Sequence, residues 1–159
     1  INKCTKGEMI MELDVLIMPN LAKMEFSVHP YYWKDELIRV KKFFLSEEIY
    51  TTGPIIFTRE VTGMDEMSFV TYMALNDEIE DIPELNIKYV PTLEIFPTIS
   101  HRCFDDEDFE EVYEGIKNHA LEHELTLSDK PFYHVMVDYF GGQVYEIHAE
   151  IDIDGVDME

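Results

Sequence analysis

Three blocks of this chain recur once each, in the same order and at nearly the same spacing, and that restricts it to a duplicated architecture. Ile17-Met18-Pro19-Asn20-Leu21 through Phe26 matches Ile95-Phe96-Pro97-Thr98-Ile99 through Phe104 at an offset of 78. Pro54-Ile55-Ile56-Phe57 matches Pro131-Phe132-Tyr133-His134 at 77, and Phe69 to Leu75 matches Tyr145 to Ile151 at 76. A drift of one residue per block is what the same elements joined by slightly shorter loops would produce.

Each half predicts strand, helix, strand, strand. Met9 to Val28 is apolar and β-tolerant, with Pro19 marking a bend or an edge because proline cannot donate to a ladder. Leu37, Val40, Phe44 and Ile49 then recur near the helical period, as do Phe109, Val112, Tyr113, Ile116 and Ala120 in the second half. Asp105-Asp106-Glu107-Asp108 places carboxylates at the positive end of the second helix. The repeats run over about 9–77 and 89–153, joined by an acidic linker at 78–88. A single βαββ unit is too small to bury its own helix well. The expected class is therefore α+β, one domain over 1–159, with two βαββ repeats forming one antiparallel sheet and both helices packed on one face.

The closing hairpin permits a register argument. A three-residue loop, Phe140-Gly141-Gly142 with Gly142 left-handed, pairs apolar residues with apolar ones. That register buries Tyr133, Val135, Val137, Tyr145 and Ile147, and it gathers His134, Glu146 and His148 on the other face.

Composition narrows the classes of function. Twelve basic residues against 34 acidic ones give a net charge of −22, whose field repels phosphate backbones and anionic lipid, so direct nucleic-acid binding is not expected. No apolar run approaches the ~20 residues of a membrane span, and the start lacks a signal-peptide layout. Cys4 and Cys103 have neither the density nor the spacing of a disulfide framework, which suits a reduced, cytoplasmic protein. Hydrophobic residues make up 46% of the chain, ten Phe and nine Tyr among them, enough to close a real core.

With those elements placed, the chain resembles the GyrI-like, or effector-binding, domain superfamily, which is built from a duplicated βαββ unit. The resemblance spans about 9–153. It is carried by the architecture, by Gly53-Pro54 and Lys130-Pro131 after the helices, and by the closing strand Tyr145-Glu146-Ile147-His148-Ala149-Glu150-Ile151. Gly53-Pro54 through Met64-Asp65-Glu66-Met67 is most similar to an uncharacterised acidic branch in Gram-positive bacteria, associated with LXG toxins of type VII secretion. The resemblance implies binding of a small molecule or partner. Drug-binding members place a glutamate on the strand after the second Gly-Pro; this sequence has His134 there and Phe57 in the first repeat. Glu150 stands where the family's closing strand has proline. No helix-turn-helix accompanies the domain, so an effector domain of this kind is expected to stand alone.

Two constellations carry possible chemistry. His119-Ala120-Leu121-Glu122-His123 matches the H-x-x-E-H order of inverted zinc peptidases. Zinc needs a third ligand from another element, and the repeat partners of His119 and His123 are Phe43 and Glu47, so both are expected to be ordinary helix positions. Neither metal nor cofactor is expected. The second constellation is His134, Glu146, His148 and Glu150 with Phe57, Val70 and Tyr72, and with Trp33 as a further aromatic. Brought together, these residues would form a groove with aromatic walls for a small amphipathic or aromatic ligand. The function expected is therefore a non-enzymatic binding domain for such a ligand or for a protein with a basic surface, with an accessory or immunity role at a toxin-secretion locus. The alternatives are a small hydrolase using Glu146 with a nearby histidine, and an acidic DNA mimic that titrates basic proteins. Cys103 is expected to be a small packed residue on a strand.

Overall fold

The computed structural model describes residues 12–153. Cys4 and the first residues of the anticipated opening strand lie outside them. Eight principal elements follow in order: β1 (Glu12–Val28), α1 (Trp33–Ser46), β2 (Thr51–Val61), β3 (Met67–Leu75), β4 (Ile87–Cys103), α2 (Phe109–Glu122), β5 (Tyr133–Tyr139) and β6 (Gly142–Glu150). The class is α+β, with six strands and two α-helices among the described residues, and each half has the strand, helix, strand, strand order its sequence predicts. The chain divides into two compact units: Ile17–Leu93, and Ile1–Leu16 with Glu94–Glu159.

In the unit Ile17–Leu93, β3 is central. It pairs antiparallel with β1 from Leu21↔Ala74 to Val28↔Met67, and with β2 from Thr51↔Leu75 to Val61↔Met67. The register shifts between Thr51 and Ile55, around Gly53-Pro54. That irregularity is expected of a proline that cannot complete the ladder. Beside Pro19 in β1, Asn20 takes a left-handed φ of 60°, a conformation asparagine tolerates. Its side-chain amide donates to the Leu75 and Asp77 carbonyls at 2.8 and 2.9 Å, and the Tyr89 hydroxyl donates to its oxygen at 2.7 Å.

The unit containing Glu94–Glu159 repeats the plan around β6. It pairs with β4 from Thr98↔Glu150 to Cys103↔Tyr145, and with β5 from Tyr133↔His148 to Tyr139↔Gly142. Since Phe26 faces Phe69 in one unit and Cys103 faces Tyr145 in the other, the ladder matches Phe26 to Cys103. Phe104, its sequence match, is past the strand and 70% exposed.

The hairpin differs from expectation. Its turn is the two-residue Phe140-Gly141, and Gly141, not Gly142, holds the left-handed φ of 72°. Val135 consequently faces Glu146 while His134 faces Ile147. His134 thus occupies the face that packs beneath α2, opposite the one bearing Glu146 and His148. Both histidines are only 1% exposed, so neither is on a wet surface. A buried imidazole is tolerated here because each has hydrogen-bond partners.

The helices show the duplication at the level of caps and packing. Each has 14 residues, at an offset of 76. Asp105 caps the entry to α2 by accepting from the Glu107 amide at 3.0 Å, as its acidic run predicts. His29 does the same for the turn before α1, accepting from Tyr31 at 3.0 Å. Both helices end in a Schellman motif: Ile49 donates to the Phe44 carbonyl at 2.9 Å and Leu125 to Ala120 at 2.8 Å. The left-handed residues there are Glu48 and Glu124, at φ 63° and 56°, where glycine is the usual occupant.

The two cores use equivalent residues. Trp33 of α1 stacks on Phe69 at 5.1 Å and meets Phe57 at 4.4 Å. Their counterparts follow suit, with Phe109 of α2 lying 4.7 Å from His134 and 4.8 Å edge-on to Tyr145. Leu37 and Phe44 complete the buried face of α1, as Val112, Ile116 and Ala120 do for α2. Among the described residues, no helix is long and apolar enough to cross a membrane.

Candidate functional site

The face of β6 turned away from α2 carries Glu146, His148 and Glu150 in succession. Opposite them across the ladder stand Arg102, Ser100 and Thr98 of β4. His148 is held at both ring nitrogens: Nδ1 lies 2.9 Å from the Thr98 hydroxyl and Nε2 lies 2.9 Å from Glu146 Oε1. The tautomer satisfying a carboxylate at Nε2 has its proton there, with Thr98 donating to Nδ1. The hydrogen bond from His148 holds the Glu146 carboxyl below its ordinary value. Partial burial and the nearby Asp14 oppose this shift, and the Arg102 charge assists it.

Asp14, on the opening stretch of β1, completes the cluster. Its Oδ2 accepts from the Ser100 hydroxyl at 3.2 Å and its Oδ1 from the Val15 amide at 2.8 Å. One ligand atom each from Asp14, Glu146 and His148 lies within 4.8 Å of the others. Sequence reasoning named Glu146 and His148 but missed Asp14, Thr98 and Ser100. The alternation of Thr98 and Ser100 along β4 was visible, but the pairing of β4 with β6 that gives it meaning was not.

Glu150, at the end of the same row, accepts an ion pair from Lys130 at 3.2 Å. Both belong to an open, mainly polar groove of about 600 Å³ to which Phe96, Leu127, Ile151 and Ile153 contribute the apolar side chains. Asp129 and Asp152 join Glu150, so three carboxylates face a single lysine around it. Its size is ordinary for a small-molecule cleft, typically about 300–1,000 Å³.

The other residues singled out from sequence are placed differently. Trp33 and Phe57 form the core beneath α1, and His134 lies beneath α2 with its Nε2 2.5 Å from the Tyr113 hydroxyl. Val70 and Tyr72 are half-buried on the face of β3 turned away from α1, and the Lys23 ammonium lies 5.9 Å from the Tyr72 ring centre. His119 and His123 stack at 4.2 Å, and the His123 Nδ1 bonds the His119 carbonyl at 3.0 Å, closing the helix end. Burial, followed by the adjacent His123, holds the His119 pKa below ordinary imidazole despite Glu122. Among the described residues, no third metal-ligating group joins these two in a cluster.

Cys103 is buried, and its thiol donates to the Asp105 carbonyl at 3.1 Å. Burial pushes its pKa up, and the acidic neighbours Asp108, Asp105 and Asp106 push the same way. Because the thiolate is the reactive form, native Cys103 in a Cys4→Ser background is expected to react with iodoacetamide at pH 8 at least tenfold more slowly than in urea. Equal rates in the two conditions would mean the thiol is accessible and unperturbed.

The architecture defines a fold that solved structures share. It is shared with the EcmrR C-terminal domain, at 12% identity and a TM-score of 0.62, over 91% of this chain and 99% of that one. In the EcmrR–DNA complex the likeness is 13% identical with a TM-score of 0.61, over 89% of this chain, which spans 57% of that longer one. A hydrolase from Listeria innocua matches at 9% identity and a TM-score of 0.58, over 89% and 92% of the two chains. SAV2435 bound to tetraphenylphosphonium matches at 10% and 0.52, over 89% and 94%. By sequence the chain belongs to the family described as Domain of unknown function (DUF5085), which matches residues 16–155. No curated protein matches it by sequence.

Proposed function

We propose that this protein is an effector-binding domain that takes a small cationic amphipathic molecule in the groove beside Glu150. The observation carrying this is the groove's composition, a mainly polar lining with three carboxylates against one lysine beside the side chains of Phe96, Leu127, Ile151 and Ile153. The apolar side chains remove part of a ligand's surface from water, and the excess of carboxylates over lysine favours positive charge. SAV2435, of the same fold, has been captured with the lipophilic cation tetraphenylphosphonium. That cation is the natural probe. Tetraphenylphosphonium is expected to raise the melting temperature progressively with concentration, since a ligand of the native state stabilises it by mass action. Glu150→Gln and Phe96→Ala are each expected to weaken binding several-fold by calorimetry, with little loss of unliganded stability. No shift at millimolar probe, or full binding by both variants, would sink the proposal.

A protein with a basic surface would meet the same acidic face, and a net charge of −22 would speed its approach. An accessory or immunity role at a toxin-secretion locus would act through such a partner. The 2.9 Å contact between Glu146 and His148 favours one further reading, a small hydrolase in which the pair positions water. Glu146→Gln separates the readings, because it abolishes general-base hydrolysis while leaving binding in the Glu150 groove intact.

A further inference from the structure

We propose that Asp14, Glu146 and His148 form a binding site for a first-row divalent transition metal, with Zn2+ as the representative ion. This goes beyond the effector groove and does not depend on it. One nitrogen and two carboxylate oxygens are a donor set that suits zinc or manganese, whereas magnesium prefers oxygen donors and retained water. Donors about 2.0–2.2 Å from zinc stand roughly 3.4 Å apart in tetrahedral coordination. The contact of 2.9 Å between His148 Nε2 and Glu146, within a cluster spanning at most 4.8 Å, brackets that spacing.

The supporting shell accommodates a metal as well as it does a hydrogen-bonded pair. His148 is 1% exposed, and its ring is aimed at the carboxylates by Thr98 at Nδ1. A hydroxyl both donates and accepts. Thr98 therefore satisfies Nδ1 when the Nε2 proton faces Glu146, and equally when the proton moves to Nδ1 and frees the Nε2 lone pair for a metal. Ser100 orients Asp14 in the same way that outer hydrogen bonds orient ligating carboxylates. The half-buried Asp14 and Glu146 leave the ion a route in and room for a water ligand, while the chain's net charge of −22 raises the local concentration of cations.

Titration of the metal-stripped full chain with Zn2+ by calorimetry tests this. One equivalent is expected to bind, and Mg2+ is not expected to compete. Asp14→Asn and Glu146→Gln, near-isosteric changes at half-exposed positions, are each expected to weaken zinc at least tenfold while the metal-free melting temperature stays close to that of the parent chain. Thr98→Val, which removes the partner of Nδ1, is expected to weaken it about tenfold. The double variant His119→Ala with His123→Ala is expected to bind as the parent does. Failure of the parent chain to bind zinc would overturn the proposal. So would binding that survives Asp14→Asn and Glu146→Gln but vanishes with the helix histidines.

Discussion

Phe57→Ala is expected to lower the free energy of unfolding by about 3–5 kcal/mol, the range for deleting a fully buried aromatic ring. Phe57 has no exposed surface; its ring meets Trp33 at 4.4 Å and Phe69 at 6.2 Å, so truncation leaves a cavity among rigid rings that cannot collapse into it. Domains of this kind are stable by only about 5–15 kcal/mol, so the variant should sit near the edge of folding at ambient temperature. Urea denaturation would show this as a lowered midpoint with an unchanged slope. A loss under about 1 kcal/mol, coupled to loss of tetraphenylphosphonium binding, would assign Phe57 to a ligand site and remove it from the core.

His134→Ala is expected to cost about 2–4 kcal/mol, combining a lost ring in the core with a broken buried hydrogen bond. The imidazole packs 4.7 Å from Phe109, and its Nε2 meets the Tyr113 hydroxyl, which is itself ordered by stacking on Phe132 at 4.6 Å. Removing the imidazole deletes that bond and leaves a void beside Phe109. His134→Ala and Tyr113→Phe in a double-mutant cycle are therefore expected to couple by about 1 kcal/mol, since both delete the same bond. Additive losses would mean that the contact contributes nothing and that packing alone matters. His134 occupies the repeat position of Phe57, so His134→Phe is a useful control: the ring volume returns without the bond.

Much of the fold was legible because it depends on local pattern. The repeat offsets, the 3.6-residue spacing of Leu37 and Phe44 or Val112 and Ile116, and the acidic run before Phe109 all report short-range physics. The Schellman caps were invisible because Glu48 and Glu124, not glycine, take the left-handed position. The hairpin misled for a related reason. With two adjacent glycines, the turn can close at either, and the choice moves His134 from one face of the sheet to the other.

The candidate site was only half legible for a reason of distance. Glu146, His148 and Glu150 share one strand, so period-two alternation alone puts them on a common face. Asp14 and Thr98 reach that face from 132 and 50 residues before Glu146 and His148 respectively, and no local signal marks either as a neighbour.

By itself, then, the sequence determined the duplicated βαββ plan, the α+β class, the helix faces and the acidic character, because periodicity, capping and charge are properties of nearby residues. Only the tertiary structure decided which of its polar residues meet. Burial placed Trp33, Phe57 and His134 in cores, and strand pairing assembled Asp14, Glu146 and His148. The physical reason is that a one-residue change of register costs little locally, yet it reverses every side chain between core and solvent. That choice is settled by contacts far apart in the chain.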